Sequence, residues 1–170
     1  MGDVDLEPMT EETSLIVREW RNSIRVNHFM DFKEQISIED QKRWFNQVSG
    51  SNDYYFIIRS NKIPVGLIHL NKMNLQNKSA YAGLFIGNES YEGTGVTFRA
   101  SVLLLDFAFS KLELAFVYAK VHHQNTAALD YNKTLGFCLD GEEGENFLRL
   151  SLSKGIYFKA SKPLLQLLTL

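Results

Sequence analysis

The stretch YEGTGVTFRASVLLLDFAF, residues 91–109, decides how this chain is read. Two glycines one residue apart, Gly93 and Gly95, are followed at once by a long, almost wholly apolar run of helical length. Adjacent backbone amides at a helix N-terminus attract anions, because the unpaired N–H groups and the helix dipole both favour negative charge, and glycine lets a phosphate come close. The same pair is explained without any ligand by a loop that needs a positive φ at Gly93 or Gly95. A Walker loop is excluded, since no Gly-Lys-Ser/Thr follows, and the dinucleotide-binding spacing fails because no third glycine follows Thr97.

Outward from this stretch the hydrophobic period changes segment by segment. Just upstream, YYFIIRS, PVGLIHL and AYAGLFIG are short runs rich in β-branched and aromatic residues, separated by polar turns at SNK and NLQNKS, and they read as strands. Farther upstream a short strand is expected at residues 4–8. EETSLIVREWRN then reads as a helix with acids in its first turn and Leu15, Ile16 and Trp20 inward. SIEDQKRWFNQVSG predicts a second helix, N-capped by Ser37 with Asp40 three residues on, showing Trp44, Phe45 and Val48 on one face and stopping at Gly50. Downstream, AFVYAKV predicts a buried strand and NTAALDYNKTLG a helix, with Asn125 as N-cap and Gly136 as its end. FLRLSL and IYFKAS, joined around Lys154-Gly155, predict a closing hairpin. The order β-α-α-β-β-β-α-β-α-β-β predicts an α/β (α+β) chain with a mixed sheet of about seven strands and helices on both faces. Within it, strand, glycine loop, helix and strand form one parallel crossover unit.

Bulk properties narrow the function. The 170 residues show no internal repeat and no Pro/Gly/Ser-rich stretch or charge run at which to cut, which predicts a single domain over residues 1–170. A net charge of −2 gives no large field of either sign, so neither nucleic acid nor an anionic membrane is expected as a partner. One cysteine, Cys138, forms no disulfide framework, and the acidic opening MGDVDLEPMT is unlike a signal peptide, so a cytoplasmic location is expected. The final LLQLLTL is too short to span a bilayer.

Past the glycine loop, VHHQNTAALDYNKTLGF carries a strand, then Asn-x-x-Ala, then Lys-x-x-Gly-Phe. Together with AYAGLFIG before the loop, this resembles the GNAT superfamily of N-acetyltransferases over nearly the whole chain. The resemblance implies the GNAT acyl-CoA N-acyltransferase fold and acetyl-CoA as co-substrate. It implies that Gly93, Thr94, Gly95, Val96 and Thr97 hold the acetyl-CoA pyrophosphate, that the backbone of Leu84, Phe85 and Ile86 bonds pantetheine, and that Asn125 also contacts the cofactor. The chain departs from the family pattern Gln/Arg-x-x-Gly-x-Gly/Ala by reading Glu92, Gly95 and Thr97 at those positions. An inward-pointing Glu92 repels a diphosphate. The family's frequent tyrosine acid falls on Asn132, and Tyr131 lies one place earlier, about 100° around the helix. Both are catalytic candidates, with a core role as the other reading of Tyr131.

The N-terminal half, IVREWRNSIRVNHFM followed by QISIEDQKRWF, resembles the branch of ribosomal-protein and spermidine acetyltransferases and, most closely, the enzymes that N-acetylate nucleotide-linked 4-amino-6-deoxy sugars of the pseudaminic-acid type. That resemblance implies an acceptor groove lined by Arg21, Asn22 and Met30, although the sugar-acetylating group carries His where this chain has Gln41. AYAGLFIG offers no acid to serve as base, so His69 on the neighbouring strand is the candidate base, with His28 as runner-up; an ordinary hydrogen-bonded histidine is the other reading of His69. The expected function is acetyl-CoA-dependent N-acetylation of a nucleotide-linked amino sugar. The alternatives are a ribosomal-protein N-terminus or a polyamine as acceptor, or a catalytically weak acyl-CoA-binding scaffold. A homodimer is admitted as a partner state, and no metal is expected.

Overall fold

The computed structural model describes residues 3–159. In chain order the elements are β1 (Val4–Pro8), α1 (Glu11–Asn22), α2 (Ile24–Asn27), α3 (Ile38–Ser49), β2 (Tyr54–Ser60), β3 (Ile63–Asn74), β4 (Ser79–Ile86), α4 (Val96–Asp106), β5 (Phe116–His122), α5 (Thr126–Thr134), β6 (Cys138–Glu142) and β7 (Phe147–Ser153). The strands form one seven-stranded sheet in the order β1-β2-β3-β4-β5-β7-β6. β1–β2, β2–β3, β5–β7 and β6–β7 are antiparallel, whereas β4 and β5, joined through α4, are parallel. This is the mixed sheet and the crossover expected from the sequence.

Two compact units divide the chain. Residues up to Asn71 with Leu84–Leu104 make the first, and Lys72–Gly83 with the residues from Leu105 on make the second. In the first unit Val17, Ile57 and Leu67 are buried together, with Met9, Trp20, Tyr55 and Phe85 packed on them. In the second, Phe109 is fully buried and its ring lies 5.1 Å from that of Tyr157.

Local chemistry explains the element ends. Asn61 (φ 50°) and Lys62 (φ 68°) turn β2 into β3 with left-handed backbone at both central residues, the geometry that matches strand twist. Ser37 caps α3 by accepting from the Asp40 N–H at 3.1 Å, and Asn125 caps α5 by accepting from the Ala128 N–H at 3.0 Å, as the sequence predicts.

Two expectations are corrected, and one feature is added. The fully buried residues of α1 are Thr13, Ser14 and Val17; Leu15 and Ile16 are only partly buried, whereas Trp20, itself partly buried, packs inward on Val17, Ile57 and Leu67 as expected. Burial of the two hydroxyls is affordable because each is satisfied locally: Thr13 exchanges bonds with Thr10 in a capping box, and Ser14 Oγ donates to the Glu11 carbonyl at 2.7 Å. Among the described residues the last hairpin is β6–β7, one element earlier than predicted. Residues 154–159 are helical, so IYFK is not a strand, and the end of that expected strand, like LLQLLTL, lies outside the described residues. Lastly, α4 continues into a π-helical turn over Phe107–Lys111, where Leu112 N–H reaches back to the Phe107 carbonyl at 3.0 Å. That wide turn carries Ala108 and Phe109 into the core.

Candidate active site

In the first unit the glycine loop has the backbone that the sequence requires. Gly93 stands at φ 70° and Gly95 at φ 81°, both left-handed, and a Cβ added at either would meet no atom within 4 Å. The two glycines therefore answer a conformational demand and, in addition, leave open space beside the backbone. The Gly95 carbonyl accepts the Arg99 N–H at 3.2 Å, which sets Gly95 at the head of α4. Val96, 5% exposed, roots the first turn of α4 in the core while Thr94 Oγ1 donates to the Tyr91 carbonyl at 2.7 Å.

The end of β4 leads into this loop. Its ladder to β5 runs from Ser79↔Phe116 to Ala82↔Ala119 and so uses only the first half of the strand. Leu84, Phe85 and Ile86 lie beyond it. Gly66 on β3 lets the Phe85 carbonyl approach closely, since a Cβ there would sit 2.4 Å from that oxygen. At the strand's exit Gly87 N–H and Asn88 N–H both donate to the Val65 carbonyl, at 2.8 and 3.0 Å.

On the acceptor side predicted from the sequence, Arg21 Nη2 donates to the Phe32 carbonyl at 3.3 Å, and burial lowers the guanidinium's pKa. Asn22 spends its side chain on one residue: Nδ2 donates to the Ile36 carbonyl and Oδ1 accepts from the Ile36 N–H, both at 2.9 Å. With Arg18 Nε also donating to Ile36 at 2.7 Å, the segment between α2 and α3 is fastened to α1. Met30 sits partly buried in that segment, its N–H on the Asn27 carbonyl at 3.0 Å. Gln41 is buried and donates to the Ser14 carbonyl at 2.9 Å, which makes it a bridge between α3 and α1.

His69 stacks on Tyr55, ring centroids 5.1 Å apart, and its Nδ1 is sealed from solvent without a hydrogen-bond partner although the residue as a whole keeps some exposure. Burial first, and the nearby Arg21 charge second, push its pKa down to about 4. His69 is therefore a neutral imidazole at ordinary pH. His28 is exposed and stacks edge-on against Phe29 at 4.4 Å.

The other predicted residues belong to the second unit. Asn125 is engaged through Oδ1 as the α5 cap. Asn132 directs Nδ2 back to the Ala128 carbonyl at 2.8 Å, so one of its two amide protons is already committed. Tyr131 is partly buried. His122 Nδ1 accepts from the Gln124 N–H at 3.2 Å, and its ring lies 4.9 Å from that of His123.

One participant escaped the sequence reading. Arg25, on the four-residue α2, pairs with Glu92 at the start of the glycine loop and donates through Nη2 to the carbonyls of Ile86 at 3.1 Å and Gly87 at 2.7 Å. The arginines at positions 18, 21 and 25 were visible as a helical spacing, but nothing local marks backbone carbonyls sixty-odd residues away as their targets.

Comparison with known proteins supplies the family. Residues 3–138 match the acetyltransferase (GNAT) domain. The chain is 26% identical over 141 residues to the spermidine N(1)-acetyltransferase of Escherichia coli K12, covering 82% of this chain and 75% of that one. Among solved structures, Vibrio cholerae spermidine N-acetyltransferase in complex with CoA and spermine superposes with a TM-score of 0.83 at 18% identity, over 91% of this chain and 98% of that one. A dodecameric form of the Vibrio cholerae enzyme in an intermediate state gives 0.79 at 20% identity, over 94% and 98%. With the glycine-opened α4, the parallel β4–α4–β5 crossover and a match reaching from β1 into β6, the chain belongs to the GNAT acetyltransferase family.

Proposed function

We propose that this chain transfers the acetyl group of acetyl-CoA to a primary amine of a small molecule, and that the amine is that of a polyamine of the spermidine class. The observation that carries the donor is the loop Gly93–Thr97, whose left-handed glycines leave open room beside the backbone that opens α4. That loop binds the diphosphate, and the β4 backbone past Ala82 is free of the β5 ladder to bond pantetheine. Attack by the neutral amine forms the C–N bond, the C–S bond breaks, and the amine loses a proton while the thiolate takes one from water. With its pKa near 4, His69 serves this step by accepting a hydrogen bond from the amine and orienting it, while water carries the proton away. Neither Tyr131 nor Asn132 is required as an acid.

The polyamine acceptor is supported by the spermidine acetyltransferases named above and by Asp31 and Glu34, exposed carboxylates in the segment between α2 and α3 that suit a polyammonium chain. A second reading, a nucleotide-linked amino sugar, is favoured by Arg21, a half-buried cation beside His69 that repels polycations and attracts a diphosphate. CoA release measured side by side with spermidine and with a uridine-diphosphate-linked 4-amino sugar separates the two. Turnover of spermidine alone supports the first reading, turnover of the sugar alone replaces it with the second, and inertness toward both with intact acetyl-CoA binding returns the chain to the scaffold reading. Sedimentation of the purified protein tests the accompanying proposal that it assembles with copies of itself.

A further inference from the structure

We infer that Arg25 is a positioning residue for the acetyl-CoA diphosphate, acting by masking Glu92 and holding the exit of β4; the inference rests on the reading of the Gly93–Thr97 loop as the acetyl-CoA site. Glu92 directly precedes Gly93, so its carboxylate stands at the entrance of a loop whose two left-handed glycines leave open space beside the backbone at the head of α4. An unmasked acid there opposes a diphosphate bound at the loop. The guanidinium of Arg25 meets that acid with Nη1 and, with Nη2, meets the carbonyls of Ile86 and Gly87, so one planar group answers three negative oxygens at the mouth of the loop. A lysine ammonium lacks the fixed fork that makes these contacts together.

The placement of Arg25 follows from the corner between α1 and α2. Ser23 ends α1, its N–H and hydroxyl both on the Trp20 carbonyl at 3.1 and 2.7 Å, and it starts α2 by capping the Val26 N–H. Two side chains flanking that corner then seize the same short segment: Trp20 lies against Gly87, and Arg25 holds the carbonyls of Ile86 and Gly87. The Arg25 and Glu92 side chains are 33% and 50% exposed, so the pair by itself adds little to folding stability. Its effect falls on the local charge and on the direction in which the β4 end enters the loop.

The test is a double-mutant cycle read by calorimetry and steady-state kinetics with acetyl-CoA. Arg25→Ala is expected to weaken acetyl-CoA binding about five- to tenfold with kcat nearly unchanged, Arg25→Lys to lose less, and Glu92→Gln alone to stay within about twofold. Glu92→Gln placed in the Arg25→Ala background should restore most of the lost affinity. Acetyl-pantetheine, which lacks the diphosphate, should show the same KM with wild type and Arg25→Ala. Additive losses in the double variant, or an equal KM defect with acetyl-pantetheine, overturn the inference while leaving the loop assignment standing. A folded wild-type protein that does not bind acetyl-CoA overturns the loop assignment, and the inference with it.

Discussion

Gly87 lies flush against the indole of Trp20: a Cβ at this glycine would fall 1.9 Å from Cδ2 of the ring. The strand that leads to the glycine loop is thus seated on the last turn of α1, and no side chain fits between them. Gly87→Ala must displace Trp20 from its packing on Val17, Ile57 and Leu67, at a cost of about 1–3 kcal/mol in unfolding free energy. Urea denaturation of the variant measures this, and a loss below about 0.5 kcal/mol would show that the indole slides away freely.

Gly95 should behave in the opposite way. Its Cβ direction is open, so Gly95→Ala costs only the left-handed backbone, about 1 kcal/mol, and the protein stays folded. Gly95→Val, bulkier and β-branched, should remove measurable acetyl-CoA binding. Unchanged acetyl-CoA affinity by calorimetry in a folded Gly95→Val variant would remove the loop from the donor site.

Acid should destabilise the first unit through His69. Its folded pKa, about 4, lies below the ordinary 6.5, so the unfolded chain binds the extra proton in between. The stabilising effect of keeping the ring neutral is complete above pH 6.5 and is lost as pH falls toward 4, up to about 3 kcal/mol in all. His69→Phe should flatten the stability profile across that window. By the same depression, the kcat/KM profile should contain no inflection near pH 6.5 that disappears in His69→Gln.

Turnover should survive Tyr131→Phe, because the family's tyrosine register falls on Asn132 and Asn125 keeps its capping position at the head of α5. A drop in kcat of about a hundredfold or more with acetyl-CoA affinity intact would identify Tyr131 as the thiolate's acid.

What the sequence displayed clearly was whatever repeats in a regular period or sits at a cap. YYFIIRS and AYAGLFIG read as strands because their β-branched and aromatic residues are continuous, and Ser37 and Asn125 were legible as caps because a cap is a contact within three residues. β6 was not legible: CLDGE is an exposed strand with no apolar alternation, held by β7 and by Arg149 Nε on Asp140 at 2.6 Å. IYFK misled for the converse reason, since Tyr157 is buried against Phe109 from a helical turn, and an apolar cluster of three residues does not reveal its own period. On the site, the glycines announced themselves through the backbone they need. Arg25 did not, because its partners are carbonyls, and every residue has one.

The ladder of β1 on β2, from Val4↔Ser60 to Pro8↔Phe56, closes α1, α2 and α3 into one large loop, whereas β2 and β3 are joined through nothing longer than Asn61-Lys62. Short connections zip first and open last; long ones close late and release early. The helices that carry Arg21, Asn22 and Arg25 thus lie within a long insertion between β1 and β2, tied back to the β2–β3 hairpin by Val17 against Ile57 and Leu67. In native-state hydrogen exchange, the amides of α1 and α2 should lose protection together and at lower free energy than those of β2 and β3. Adding acetyl-CoA should slow exchange in α1 and α2 through the Arg25 contact with residues 86, 87 and 92 and leave the hairpin's exchange unchanged.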